Sequence, residues 1–188
     1  MKFILNTTIT PHFCALFSEQ NELMQIRMWE QNKKDGDEVF AFFADYIKDD
    51  TTLTFLGGVA GPGGFSSLRV ASGVLTACSI KYNLPIHSVL AETWLAEITD
   101  TDFLMPSFGK NVWFVHNGTK TLQSVFDFKG VDSVDVRFLQ PKQQQKIMAE
   151  PQPLYRFSSS DVLQLLLLLE ANQPQAVFVP AYAVPPVS

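Results

Sequence analysis

The first apolar and polar positions of the chain alternate in the way that β-strands require. Between residues 23 and 29, apolar side chains alternate with Gln25 and Arg27, which is the period of two of a half-buried strand. Two further short runs, over residues 2–8 and 13–18, precede it and are separated by polar turns. The pattern predicts an antiparallel meander of three strands at the start of the fold.

Two later segments have helical spacing and carry more apolar surface than one buried face requires. The first helix is predicted over residues 37–48, with Asp37 as its N-cap, and the second over residues 66–83. A helix that lies on a sheet buries only one stripe of apolar side chains. Apolar residues nevertheless cover well over half of the circumference of the first helix and form two rows on the second. The candidate interface residues are Phe40, Phe43, Ile47, Val70, Gly73, Val74 and Ala77. The surplus predicts contact with another chain; the alternative is that a later segment of this chain covers both helices.

A glycine-rich turn joins a predicted strand, residues 51–56, to the second helix. Its candidate site residues are Gly61, Pro62, Gly63, Gly64 and, one turn into the helix, Arg69. Glycine permits positive φ and proline fixes φ, so the string encodes a tight strand-to-helix turn. The free NH groups at the helix start make an anion site conceivable. We favour the alternative, in which the glycines let strand and helix pack closely and Arg69 binds carbonyl oxygens or an acid.

The order of predicted elements indicates the fold class. A strand over residues 84–89 and a helix over residues 90–98 complete the order strand, strand, strand, helix, strand, helix, strand, helix. This is the ribonuclease H-like half of the actin-like α/β fold, with a mixed sheet and helices. Residues 99–110 are the best candidate linker, so we expect a lobe over residues 1–98 and a smaller, shortened lobe over residues 110–188.

The second lobe is less regular. Asn117-Gly118 is a strong hairpin signal between two short strands, and a further strand is predicted over residues 134–139. A short polar helix is expected over residues 141–149. A leucine-rich helix, capped by Ser160 or Asp161, should run to about Ala171.

Composition narrows the function classes. Among 188 residues, 46% are hydrophobic and 18% charged, as expected for a folded chain, and the net charge of −5 offers no footprint for nucleic acid. Only two cysteines occur, which favours a reducing compartment. The chain starts without a signal-peptide pattern and has no apolar run long enough to cross a bilayer. We therefore expect a cytoplasmic protein that reaches RNA only through a partner.

No catalytic or metal site is predicted. His12, His87 and His116 are scattered and lack the short spacing of metal ligands. Ser66 and Ser67 do not stand in the G-x-S-x-G pattern of a serine nucleophile and are better explained as helix caps. The loop is not a Walker A motif, and no cofactor is expected.

The string at residues 61–70, GPGGFSSLRV, resembles the GPGSFTGLRV signature of the TsaB (YeaZ) family within the glycoprotease-like proteins. Residues 84–89 also resemble the family's "GIPLVGV" strand, and beyond residues 53–98 the likeness fades to the order of elements. The resemblance implies an actin-like fold and a role in threonylcarbamoylation of the adenosine beside the tRNA anticodon. It further implies a catalytically silent partner of a TsaD-like transferase, joined by a TsaE-like ATPase. The first two helices would form the heterodimer contact, and a homodimer is possible for the chain alone.

Two departures from the family pattern are visible. The family's first strand usually runs "ILAIDTS", whereas this chain has Asn6 in place of the aspartate that helps to organise phosphate and metal in ATP-using members. Residues 31–38 also lack the family's Gly-His segment. Asn6 cannot supply that negative charge and therefore argues against ATP chemistry. The rival hypothesis from another class is an active actin-fold phosphotransferase that uses the glycine loop for ATP, and a third is a protein-binding module unrelated to tRNA.

Overall fold

The computed structural model describes residues 1–30, 33–107, 110–131, 133–153 and 155–182. Its strands are β1 Lys2–Asn6, β2 His12–Phe17, β3 Leu23–Trp29, β4 Phe55–Val59, β5 Ile86–Val89, β6 Phe103–Pro106, β7 Asn111–His116 and β8 Thr119–Ser124. Its α-helices are α1 Asp35–Tyr46, α2 Phe65–Tyr82, α3 Ala91–Glu97, α4 Pro141–Gln144 and α5 Ser159–Ala171, with a 3₁₀ turn at Val125–Phe128.

A five-stranded mixed sheet in the order β3-β2-β1-β4-β5 forms the centre of the molecule. The first three strands pair antiparallel as a meander, whereas β4 pairs parallel to β1, with Phe3 opposite Leu56, and β5 parallel to β4. Parallel neighbours need crossover connections, which α1 and α2 supply. The structure confirms the predicted α/β fold class with a mixed sheet and helices.

Helices cover both faces of this sheet. On one face α1 and α2 bury Phe42 and Leu75 against strand residues such as Phe3. On the opposite face α3 and α5 bury Trp94 and Leu165 in a separate core cluster. Successive side chains of a strand point to opposite faces of the sheet. Phe3 and Leu5 of β1 therefore pack on the side of α1 and α2, and Ile4 packs on the side of α3 and α5.

A second sheet, in the order β6-β7-β8, packs beyond α3. Its β6 lies inside residues 99–110, so the predicted linker is wrong there; Phe108 and Gly109 fall outside the described residues. The strand predicted over residues 134–139 is also wrong, because this segment is mainly turns and only Asp135 forms an isolated bridge. The lobe boundaries at 1–98 and 110–188 remain a prediction.

Several helices and strands begin or are capped at other residues than the sequence predicts. α1 begins at Asp35 rather than after Asp37, and no side chain caps it. β4 begins at Phe55 and continues through two glycines, so the strand predicted over residues 51–56 is displaced toward the loop. Ser158, rather than Ser160 or Asp161, caps α5. Among the described residues, no helix is long and apolar enough to cross a membrane.

Candidate functional site

An apolar groove lies between α1 and α2 on the outer side of the helical layer. Its volume is about 190 Å³, and its lining is Val39, Phe40, Phe43, Val74, Ala77 and Cys78. The groove exists because each helix points one row inward, including Phe42 on α1 and Leu75 on α2, and leaves a second apolar row facing outward. The lining offers no charged side chain to a ligand. Chemically, the groove suits an apolar side chain of another protein.

The predicted interface residues fall into two groups around this groove. Phe40 is 78% exposed, Ala77 is exposed, and a Cβ added to Gly73 would meet no atom within 4 Å. Phe43, Ile47, Val70 and Val74 are half-buried and pack against the core beneath the helices. The structure therefore brings Phe40, Phe43, Val74 and Ala77 together at the groove, whereas Ile47 serves mainly to fix the end of α1. Whether a partner covers this face stays a prediction.

Two further residues belong to this face and were not among the predicted interface residues. Ile80 is 78% exposed on α2, and Cys78 forms part of the groove lining. Ile80 follows Ala77 by three positions and Gly73 by seven, so helical spacing alone would have placed it on the same face. Burial raises the pKa of the Cys78 thiol to about 11, which keeps it neutral and apolar at physiological pH.

The glycine loop is packed against the chain's own C-terminal segment. Gly61 has φ +129°, and a Cβ there would lie 1.9 Å from the carbonyl oxygen of Ala181. Gly63 forms an isolated parallel bridge with Tyr182, and its missing Cβ leaves room for Thr8. Pro62 is buried between these glycines. The glycines thus permit close packing of backbone on backbone.

At the exposed end of the loop, Gly64 occupies the N-cap position of α2 without a side-chain cap. The guanidinium of Arg69 lies over the ring of Phe65, 4.5 Å from its centroid, in a cation–π contact. The predicted alternatives for Arg69 were a phosphate, a carbonyl oxygen or an acid. The structure places an aromatic ring there instead.

The side chain of Asn6 is fully buried and bonded to the turn that follows it. Its Nδ2 donates to the carbonyl oxygens of Ile9, at 2.8 Å, and Pro11, at 3.2 Å. Its Oδ1 accepts from the backbone NH of Thr8 and Ile9 and from the Thr8 hydroxyl. Both donor hydrogens and the acceptor are therefore engaged within the chain.

A buried polar cluster stands behind the start of α1. His12 Nδ1 lies 2.6 Å from Asp35 Oδ1, which also accepts a 2.8 Å hydrogen bond from Trp29 Nε1. Among the described residues, no group of three or more potential ligands is arranged for a metal ion. His87 bonds to backbone carbonyls near the end of α5, and His116 pairs with Asp102 on the second sheet. The three histidines thus serve separate regions.

A second cavity, of about 270 Å³, opens at the β1–β2 turn. It is lined by Thr10, Pro11, Met28, Trp29, Glu30, Tyr155 and Arg156. One acid, one base and several apolar groups give it no charge preference that would select a phosphate group. The α1–α2 groove has the more uniform chemistry and is the better candidate site.

Comparison with solved structures identifies the architecture. A Pseudomonas aeruginosa protein described as similar to peptidase YeaZ matches over 98% of this chain and 100% of its own, at 13% identity and a TM-score of 0.62. YeaZ from Pseudomonas aeruginosa matches over 97% and 100%, at 16% identity and a TM-score of 0.57. The chain has the YeaZ fold. No family model matches the sequence, and no curated protein does.

Proposed function

We propose that this chain is a non-catalytic scaffold subunit of the TsaB (YeaZ) type. It is needed for threonylcarbamoylation of the tRNA adenosine next to the anticodon, and it activates a TsaD-like transferase through a helical interface. The observation that carries the proposal is the apolar groove between α1 and α2, with Phe40 78% exposed beside it. A large exposed aromatic side chain beside an open groove is typical of a protein–protein contact.

Three independent observations support the family assignment. The YeaZ fold spans nearly the whole chain, the GPGGFSSLRV string stands at the β4–α2 turn, and the outward apolar rows lie on the first two helices. Identity to the solved structures is low, so the loop string provides the link from fold to family. The outward apolar face of α1 and α2 is then the partner contact expected of this type of subunit.

The proposed mechanism is a population shift in the partner. The scaffold binds the arrangement of the transferase that matches the α1–α2 face and leaves other arrangements without that contact. The partner's competent state is then favoured by the difference in binding free energy between the two. No chemical step is assigned to this chain, because Asn6 engages its own turn and the glycine loop is packed with Ala181.

The proposal also defines the wider assembly. A net charge of −5 does not favour direct binding of tRNA, so contact with tRNA comes through the complex. A TsaE-like ATPase joins the two subunits in the cytoplasm. Without the transferase, the same groove permits a homodimer in which each copy covers the other.

Co-expression with the TsaD-like protein of the same genome tests the proposal. We expect a heterodimer by size-exclusion chromatography, and tRNA threonylcarbamoylation by the completed system that depends on this chain. Phe40→Asp and Ala77→Arg place charge at the groove and should abolish both. Leu122→Asp is the matched control, since Leu122 is an exposed apolar residue on β8, away from the groove.

The outcomes separate the competing functions. Modification that does not depend on this chain, or a complex that survives both groove variants, contradicts the scaffold proposal. Association with a different protein and not with the transferase favours a binding module unrelated to tRNA. ATP turnover by the isolated chain, lost when the glycine loop is altered, favours the phosphotransferase.

A further inference from the structure

Residues 175–182 run from the edge strand β5 of the central sheet to the glycine loop. Gln175 exchanges two backbone hydrogen bonds with Ile86 on β5, at 2.7 and 2.9 Å. Phe178 is buried against Gly58, and Ala181 donates its NH to the carbonyl oxygen of Ala60 at 2.6 Å. The segment is therefore anchored at successive points before it reaches the loop.

At the loop, the segment supplies both an acceptor oxygen and an aromatic ring. The carbonyl oxygen of Ala181 occupies the space beside Gly61 that a side chain would otherwise fill, 1.9 Å from the position of the missing Cβ. One residue further, Tyr182 is bridged to Gly63, and its ring lies 5.2 Å from that of Phe65 in the first turn of α2. The contacts thus extend from the loop into the helix.

We propose that residues 178–182 are the resident ligand of the glycine loop. The carbonyl oxygen of Ala181 lies against Gly61, and a partly negative oxygen beside the loop disfavours a phosphate there. The Tyr182–Phe65 contact holds the first turn of α2, which has no side-chain cap, in its helical conformation. The glycines are therefore required for peptide packing within the chain, and the loop is closed to external anions.

Hydrogen exchange measured on the full chain tests this proposal. Tyr182→Ala, and a chain that ends after Val179, should speed amide exchange over residues 68–71 by about tenfold or more. These amides bond to the carbonyl oxygens of residues 64–67, beginning with Leu68 to Gly64, so they report local opening of the first turn of α2. Gly61→Ala should have the same effect through its steric clash with the segment. The matched controls are Val177→Ser, at an exposed position just before residues 178–182, and Gly36→Ala, where an added Cβ meets no atom within 4 Å. Both controls should leave exchange over residues 68–71 unchanged.

If Gly61→Ala fails to fold, the Tyr182 variant and the shortened chain carry the test. Exchange over residues 68–71 within about twofold of the intact chain in both of them would overturn the proposal. Inorganic pyrophosphate is the probe for anions, and it should leave exchange over residues 61–68 of the intact chain unaltered. Slower exchange there on adding pyrophosphate would show an open site and also overturn the proposal. The result does not depend on the transferase partner, so it is separable from the outcome of the co-expression experiment.

Discussion

His12 and Asp35 form a buried hydrogen-bonded pair that joins the central sheet to the first turn of α1, with Nδ1 and Oδ1 2.6 Å apart. Trp29 on β3 donates to the same carboxylate oxygen. Because α1 carries Phe40 and Phe43, this cluster fixes the helix that forms one wall of the groove. Burial acts to raise the pKa of Asp35, but the hydrogen bonds with His12 and Trp29 and the electrostatic attraction of His12 outweigh burial and leave that pKa below its ordinary value.

Asp35→Asn should therefore destabilise the fold by about 3 kcal/mol at pH 6, since one partner of a buried pair is left without its counterpart. The stability that Asp35 contributes is present above the ordinary aspartate pKa of about 4 and is lost as pH falls through the lowered folded value. The difference in unfolding free energy between wild type and variant should shrink below about pH 4. Urea titrations from pH 2.5 to 6 measure it.

The control is Asp45→Asn, because Asp45 pairs with Arg27 on the surface, with the carboxylate side chain 51% exposed. Its cost should stay below about 1 kcal/mol. An Asp35 effect that is no larger than the Asp45 effect, or that is constant down to pH 2.5, would contradict the assignment.

Asn6→Asp tests whether a carboxylate at this position restores nucleotide chemistry. The new carboxylate would face the carbonyl oxygens of Ile9 and Pro11 that the amide now binds, in a fully buried position. We expect a loss of at least about 2 kcal/mol in unfolding free energy, because two buried acceptors lose their donor. ATP turnover should stay at the level of the buffer blank. Measurable turnover by the variant would instead favour the phosphotransferase.

Local patterns predicted the elements that depend on sequence neighbours. The alternation over residues 23–29 coincides with β3, and the short strand predicted before the Asn117-Gly118 turn is β7. The outward rows of α1 and α2 were also visible in the helical spacing. These features follow from periodicity and turn chemistry within a few residues.

Features that depend on distant parts of the chain were not predictable in the same way. Asp35 and His12 are 23 positions apart, and nothing in either local pattern indicates that they pair. β6 has only four residues and forms its pairs with β7, so its own sequence was interpreted as linker. The occupancy of the glycine loop by Ala181 likewise required the path of the C-terminal segment.

The two glycines of β4 explain why that strand was misplaced, and they yield a prediction. A Cβ at Gly57 would lie 2.7 Å from Leu169 Cδ1 of α5, and one at Gly58 would lie 2.6 Å from Leu75 Cδ1 of α2. The strand lacks side chains there because helices approach closely on both faces. Gly57→Ala and Gly58→Ala should each lower the free energy of unfolding by about 1–3 kcal/mol through overpacking.

Chemical denaturation measures both losses, and Gly36→Ala, which adds a methyl in open space near the start of α1, should show none. Gly58 faces α2, which forms one wall of the groove, whereas Gly57 faces α5, which does not. Only Gly58→Ala should therefore also alter the groove. Equal effects of both variants on partner binding would contradict this assignment of faces.

Cys78 allows the groove to be observed directly in solution. Burial raises the pKa of its thiol to about 11 and holds the pKa of the Cys14 thiol well above its ordinary value. The reactive thiolate of both residues is therefore scarce at neutral pH. Alkylation of Cys78 by iodoacetamide should be at least about a hundredfold slower at pH 8 than that of free cysteine, and should rise about tenfold per pH unit up to pH 10. Peptide mass spectrometry separates Cys78 from Cys14, which should react only on unfolding.

Because Cys78 lines the groove, bound transferase should slow its alkylation further, whereas the Phe40→Asp variant should lose this protection. Equal alkylation rates with and without a bound partner would show that the partner occupies another surface.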